Sequence, residues 1–111
     1  MVQYRPVDQT LTALADPTRR QILERLGHGS ASITALAEPL GITLTGVKKH
    51  IRVLEDAGLV DTRKIGRVRE CELGRDRLEN LEQWIVDYRQ AVEQRLDRMA
   101  ELLERRKEAA K

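Results

Sequence analysis

The chain of 111 residues has few of the residue types on which metal, redox and membrane sites depend. With one cysteine and two histidines, it cannot form an intrachain disulfide or a zinc site of four thiolates. It has no phenylalanine, so its core must be built from Leu, Ile, Val and Ala. No apolar run is long enough for a membrane span, and the first ten residues do not resemble a secretory signal. We therefore expect one domain over residues 1–111 in a reducing cytoplasm, without a membrane partner.

Catalytic motifs are missing as well. His28 and His50 do not stand in a pattern with Ser, Cys or Glu that is typical of a catalytic site, and no glycine-rich nucleotide loop is present. Carboxylates are numerous, but 34% of the chain is charged, so most of them are expected on a solvated surface. We expect neither an enzyme nor a bound cofactor.

The net charge of +2 is unevenly distributed along the chain. Residues 43–69 hold seven basic side chains against three acidic ones, whereas residues 70–111 hold nine basic against eleven acidic. A local surplus of cations attracts an anionic polymer more than the overall charge does. The middle third of the chain is therefore the candidate contact surface for nucleic acid.

Apolar spacing predicts a mainly helical fold that ends in a hairpin and a long helix. Capping residues and glycines set the expected boundaries, since Asp16, Ser32 and Thr43 are good N-caps and Gly58 is a stop signal. Pro39 should end the third helix near Glu38 or Pro39. The predicted order is α-α-α-α-β-β-α, with helices at 7–15, 17–26, 33–39 and 44–57, strands at 59–65 and 68–73, and a helix from 76 to about 107.

Residues 33–52 fit a helix-turn-helix. Ala37, Gly41 and Val47 have the small, turn-tolerant and apolar side chains that this geometry needs. At 100° per residue, Leu44, Val47, Ile51 and Leu54 share one face of the second helix, with Thr45, Lys49, Arg52 and Asp56 opposite and Lys48 and His50 on the flanks. Hydroxyl, ammonium and guanidinium groups on an outward face suit a major groove edged by phosphates. The basic hairpin that follows is predicted to form a wing that contacts the DNA backbone or the minor groove.

Three segments carry a resemblance to a known family: ALADPTRRQILERL (13–26), ITALAEPLGITLTGVKKHIRVLEDAGLV (33–60) and GRVRECEL (66–73). They are similar to the ArsR/SmtB family of bacterial winged helix-turn-helix repressors, in the branch without metal-binding cysteines. The resemblance implies a homodimer whose recognition helix is 44–57 and whose wing is 59–73. It implies that the first and last helices form the subunit interface.

The candidate DNA contacts combine both arguments. They are Thr43, Thr45, Gly46, Lys48, Lys49, His50 and Arg52 on the recognition helix, and Arg63, Lys64, Arg67 and Arg69 in the wing. The Lys48–Lys49 pair differs from many relatives and favours phosphate attraction over base reading. For His50, a bond within the protein is the alternative to a DNA contact, and Arg19 and Arg20 are expected to pair with Asp16 or Glu24.

Metal and redox sensing are expected to be absent. Metal-sensing relatives carry paired cysteines on the helix that here reads ITALAEP (33–39), or Asp/His pairs on the terminal helix, which here has no histidine. Cys71 shares a strand face with Leu73 and reads as a small buried hydrophobe. The alternative, a redox switch, needs an exposed thiolate and a resolving partner.

The terminal helix carries apolar residues at 78, 81, 85, 88, 92, 96, 99 and 103, in steps of three and four. Such a seam is longer than a core of this size can cover, so it needs a partner. The predicted dimer interface is Leu11, Leu14, Leu78, Leu81, Trp84, Ile85, Tyr88 and Val92.

The sequence thus predicts a sequence-specific DNA-binding regulator of transcription, in the form of a homodimeric repressor of a palindromic operator. It would work in the bacterial cytoplasm, on the nucleoid when bound, with double-stranded DNA and a second copy of itself as partners. Two alternatives stay open at this stage. One is a helical adaptor that binds another protein; the other is an architectural DNA-binding protein with little sequence preference.

Overall fold

A computed structural model of the chain describes the backbone of residues 5–110 and the side chains of residues 7–110. The elements are α1 (Arg5–Leu14), α2 (Pro17–Leu26), β1 (Ala31–Ser32), α3 (Ile33–Leu40), α4 (Leu44–Asp56), β2 (Val60–Ile65), β3 (Val68–Leu73) and α5 (Arg75–Ala109). They fall into two compact units, one ending at Leu81 and the other beginning at Glu82, and each is described by itself. Residues 1–4 and 111, which the single-domain prediction also covers, lie outside the described part.

Side-chain caps begin three of the helices where the sequence predicts them. The carboxylate of Asp16 accepts a hydrogen bond from the backbone N–H of Arg19 at 3.0 Å. The hydroxyl of Ser32 accepts one from Ala35 at 3.1 Å, and that of Thr43 accepts one from Gly46 at 3.1 Å. Each cap satisfies an N–H that has no acceptor within its own helix. The predicted starts of α2, α3 and α4 are confirmed.

Several helix boundaries differ from the prediction by one or two residues. Helix α1 begins at Arg5, earlier than residue 7, and α3 continues through Pro39 to Leu40. Pro39 lies in the last turn of α3, where its missing N–H removes only one helical hydrogen bond, so the helix persists for one more residue. Gly41 then ends the helix in the left-handed region, with φ 65°.

The sheet has one strand more than predicted. Strands β2 and β3 form the expected antiparallel hairpin, in which Gly66 adopts φ 63° at the turn. The short β1 adds to the other edge of β3, with Ala31 opposite Cys71 and Ser32 opposite Glu70. The observed order is therefore α-α-β-α-α-β-β-α, and the predicted α-α-α-α-β-β-α is wrong at this point. Two residues carry no periodicity, so only the pairing with β3 defines the strand.

An aliphatic core fills the first unit, as the absence of phenylalanine requires. Its buried side chains come from α1, α2, α3 and α4, from the sheet, and from the segment between α4 and β2. Ala37 and Val47 are both buried, on the two helices that Gly41 separates. This confirms the helix-turn-helix and, with the hairpin, the winged helix-turn-helix fold. The largest fully buried side chains are Ile22, Leu36, Leu54, Leu59, Val47, Val60, Thr10 and Cys71.

The second unit is the length of α5 from Glu82 onward. Trp84 and Tyr88 stack on one another there, with ring centroids 5.4 Å apart. Seven further large apolar side chains of this unit are exposed: Ile85, Val86, Val92, Leu96, Met99, Leu102 and Leu103. Within residues 5–110, no helix is both long and apolar enough to cross a membrane.

Candidate nucleic-acid interface

The fourth helix presents a polar face of hydroxyl, ammonium and guanidinium groups. Thr45, Lys48, Lys49 and Arg52 are exposed. On the other side of the helix, the apolar residues Val47, Ile51 and Leu54 are buried in the core, which fixes the rotation of the helix about its axis. Leu44, predicted on the buried face, is 46% exposed. It is the first residue of α4, where the helix has not yet reached the core.

Thr43 and Gly46 shape the start of α4. The Thr43 hydroxyl is occupied as the N-cap acceptor for the Gly46 N–H, which leaves its own proton as a donor. Gly46 offers a base no side chain, so any contact it makes there is through its backbone.

Gly46→Ala is expected to stabilise the fold by about 0.5–1 kcal/mol. Glycine costs this much in a helix interior, and a methyl group at this site would meet nothing closer than the Thr43 hydroxyl at 3.4 Å. Urea unfolding of both proteins at one concentration measures the difference. A destabilised variant would show that the start of α4 does not have the room described here.

His50 is held by groups of the first turn of α2. Its Nδ1 lies 3.9 Å from the Asp16 carboxylate and 3.4 Å from a guanidinium nitrogen of Arg19. A guanidinium only donates, so this contact forms when the Nδ1 atom of His50 carries no proton and accepts. The structure therefore contains the bond within the protein that was the alternative for His50. A DNA contact through Nε2 stays a prediction.

Arg19 and Arg20 cap the carbonyl end of α1. Arg19 donates to the carbonyl oxygens of Ala13 at 2.6 Å and Thr12 at 3.3 Å, and Arg20 donates to that of Leu14 at 2.7 Å. The predicted pairing of these side chains with Asp16 or Glu24 is wrong as the main contact. Carbonyls at a helix C-terminus have no partner within the helix and attract cations, which explains the preference.

The N-cap bond at the start of α2 lowers the pKa of Asp16. The largest cause is the backbone N–H of Arg19, which bonds the ionised carboxylate, and the positive charge of Arg19 adds to it. This lowering stabilises the folded chain above the carboxylate's ordinary pKa of 3.8, and the contribution is lost as the pH falls below it.

The wing carries its cations on two different faces. In the register of the hairpin, Lys64 lies opposite Arg69 and Thr62 lies opposite Cys71, so these four residues share the face that turns to the core. The Thr62 hydroxyl donates to the Glu55 carboxylate of α4 at 2.5 Å, which ties this face of the wing to the recognition helix. Lys64 and Arg69 thus lie on the side of the wing nearer α4.

Arg63 lies on the opposite face. It is paired in the register with Glu70, and its guanidinium is 3.6 Å from the Glu72 carboxylate. Both partners are exposed, so the ion pair contributes little to stability. The two glutamates nevertheless place carboxylates beside Arg63, which is the predicted wing contact on the face turned away from α4. Arg67, in the turn, is exposed.

Comparison with known proteins agrees with this geometry. A helix-turn-helix domain family profile matches residues 14–63. The HTH-type transcriptional regulator Rv2034 of Mycobacterium tuberculosis is 42% identical over 73 residues, which cover 66% of this chain and 68% of that protein. The crystal structure of an ArsR family transcriptional regulator is 38% identical and covers 80% of this chain and 98% of its own, with a TM-score of 0.76. The chain belongs to the ArsR family.

Membership in the ArsR family settles the class of activity. The chain is a DNA-binding regulator of transcription and not an enzyme. A further similar structure is a homodimeric winged helix-turn-helix DNA-binding domain from Mycobacterium bovis. It is 29% identical and covers 78% of this chain and 82% of its own, with a TM-score of 0.66.

This ArsR-family chain shows no metal-binding cluster in the part that the structure describes, where no three His, Cys, Asp or Glu side chains lie close enough to share an ion. Its thiol is enclosed. Cys71 is 0% exposed between β1 and β2, and burial, followed by the charges of Glu70 and Glu55, raises its pKa to about 11. These surroundings suppress the thiolate that a redox switch requires.

Cys71 is therefore expected to be unreactive in the folded protein. A thiol reagent at pH 8 should label the native chain at least a hundredfold more slowly than the chain in urea, because the group must first become accessible. If native protein were labelled as rapidly as the unfolded chain, the result would instead support the alternative that Cys71 acts as a redox switch.

Two features of this surface were not predicted from the sequence. One is the position of Ser32 and Thr34 beside the basic face, because the short β1 that ends at Ser32 and leads into α3 has no sequence signal. The other is the contact of Arg19 with His50, which joins residues 31 positions apart. The DP dipeptide at 16–17 was the only hint, since it marks a helix start near which both groups meet.

Proposed function

We propose that the chain is a homodimeric repressor that binds a palindromic operator sequence-specifically. The observation that carries the proposal is the exposed face of α4, with Lys49 and Arg52 at its centre and the cations of the wing beside it. Arginine and lysine are the side chains that most often read guanine in the major groove. Thr43, Thr45, Gly46, Lys48 and His50 complete the helix contacts, and Arg63, Lys64, Arg67 and Arg69 supply those of the wing.

The groups divide into two roles. Thr45, Lys49 and Arg52 face away from the core and read bases, whereas the wing cations contact phosphates or enter the adjacent minor groove. Among the wing residues, Arg63 contributes least, because Glu72 already lies beside it. Lys64, Arg67 and Arg69 therefore carry most of the salt dependence of the wing.

A second copy of the chain is needed because one recognition helix offers few base contacts. Two such helices related by a two-fold axis enter successive major grooves about 34–36 Å apart, so the operator repeats its sequence in inverse order. The proposed interface comprises Leu11, Leu14, Leu78, Leu81, Trp84, Ile85, Tyr88 and Val92. Supporting this, Ile85 and Tyr88 are 50% and 61% exposed in the single chain, and the similar domain from Mycobacterium bovis is homodimeric.

Repression follows if the dimer occupies a promoter in the cytoplasm and excludes polymerase. The test is to select bound fragments from the source genome with the purified protein and then to titrate the best fragment against random DNA. A preference of about 10³ or more for a fragment with an inverted repeat is expected. The protein should then lower transcription from that fragment in a purified system.

The two alternatives are separate outcomes of this titration. An architectural protein would bind genomic and random DNA alike, and an adaptor would bind neither. Either result would contradict the proposal. Activation of transcription from the selected fragment would contradict repression alone.

A further inference from the structure

A groove of about 280 Å³ lies between the start of α3, the start of α4 and the wing. Its apolar lining consists of Ile33, Leu44 and Val68. Its polar lining consists of three cations and two hydroxyls, from Lys48, Arg67, Arg69, Ser32 and Thr34. No carboxylate lines it. The three cations come from two parts of the chain: Lys48 belongs to α4, whereas Arg67 and Arg69 belong to the wing.

A neighbouring groove shows that this charge composition is not general to the surface. It shares Ile33, Lys48 and Arg69 with the first, and adds Arg52 together with the two carboxylates Glu55 and Asp56. An anion entering it would meet both acids of the last turn of α4. The two grooves flank the same lysine and the same arginine, but only the one that contains Thr34 lacks negative charge.

The wing adds a second reason to expect an anion. Arg69 lies directly opposite Lys64 in the hairpin, and like charges in that position destabilise a strand pair. A phosphate bound next to Arg69 and Lys64 would replace the repulsion between the two cations by attraction of both to the anion. The hydroxyl of Thr34 is exposed at the rim, whereas that of Ser32 already accepts the bond from Ala35 and is free only to donate.

We propose that this groove holds one backbone phosphate of the DNA, bound by Lys48, Arg67 and Arg69 with hydrogen bonds from Ser32 and Thr34. The phosphate locks the wing and the recognition helix to one register on the duplex, which base contacts alone do not fix. Thr34 and Ser32, outside both elements predicted to bind DNA, thereby become DNA contacts. This inference rests on the proposed function.

The first test is Thr34→Val, which removes the hydroxyl and keeps the shape. Operator affinity is expected to fall about tenfold, since a hydrogen bond to a charged group is lost. The salt dependence should stay unchanged, because valine alters no charge. Thr12→Val is the matched control: its hydroxyl is bonded to the Asp8 carbonyl on α1, and operator affinity should not change.

The second test identifies the phosphate. Each phosphodiester of the operator is replaced in turn by a neutral methylphosphonate, and both the wild type and Thr34→Val are titrated. At one phosphate in each half-site the effect of Thr34→Val should vanish, while at all others it should persist. A free phosphate ester is the other source of the same chemistry. Inorganic phosphate, at ionic strength matched with chloride, should leave the NMR signals of Thr34 and Arg69 unshifted.

Failure of the proposed function and failure of the groove assignment give different experimental results. If the wild type prefers no genomic fragment over random DNA, the proposed function fails and this inference fails with it. If the preference is present but Thr34→Val adds to every methylphosphonate, only the groove assignment is overturned. Saturable shifts with inorganic phosphate would also overturn it, by assigning the groove to a small phosphate-bearing ligand.

Discussion

Ile85→Asp should turn the protein into a monomer that has lost its operator but still binds DNA weakly. Ile85 is half exposed in the single chain, and Tyr88 and Val92 of the same seam are also exposed, so in the proposed dimer it meets a second copy. An unpaired carboxylate buried there costs several kcal/mol, enough to dissociate the pair. One recognition helix then works alone, and operator affinity should fall about 10³-fold towards the level of non-specific binding.

Gln90→Asp is the matched control for that substitution. It introduces the same charge on the same exposed helix, but off the seam of Ile85, Tyr88 and Val92. This variant should remain dimeric and bind the operator like the wild type. Sedimentation and gel-shift titration of both variants decide the matter. A monomeric Ile85→Asp with native affinity for an inverted repeat would contradict the dimer argument.

Gly74→Ala should destabilise the first unit by about 3 kcal/mol. Gly74 joins β3 to α5, and its N–H donates to the Leu59 carbonyl at 2.7 Å. A methyl group on it would overlap the carbonyl oxygen of Gly58, and it would also press on the carbonyl carbon of Leu59 at 3.1 Å. These are backbone atoms that cannot rotate away, so the chain must shift or unfold.

The loss is measurable by urea or thermal unfolding at a fixed protein concentration, since a dimer's stability depends on concentration. For a unit of this size, 3 kcal/mol corresponds to a fall in Tm of about 12–24 °C. Gly46→Ala is the internal comparison, because the same methyl group is accommodated there and should raise Tm. Equal effects of the two substitutions would contradict the close approach at Gly74.

The fold was predictable where local chemistry decides the structure. Asp16, Ser32 and Thr43 are N-caps whatever surrounds them, and the alternation after Gly58 leaves little choice but a hairpin. Strand β1 was not predictable, because its two residues are extended only through pairing with β3. Leu44 was misplaced for a related reason: a helical wheel assigns a face but does not show where the core ends.

Part of the candidate DNA surface was also predictable from local sequence. The exposed face of α4 follows from which of its residues are apolar, so Thr45, Lys49 and Arg52 could be placed in advance. The partners of His50 could not be predicted, since Asp16 and Arg19 come close to His50 only through tertiary packing. The difference between Arg63 and Arg69 likewise depends on the register of the hairpin, which charge counting does not contain.

The central claim is that the exposed face of α4 reads a specific sequence. Its most direct test is the ratio of affinities for the selected operator and for a scrambled duplex, measured for the wild type and for Lys49→Ala and Arg52→Ala at several salt concentrations. We expect at least one variant to lose about 1–3 kcal/mol of that preference, a factor of roughly 5 to 150, with unchanged unfolding free energy. An unchanged ratio in both variants would contradict the assignment of α4 as the recognition helix.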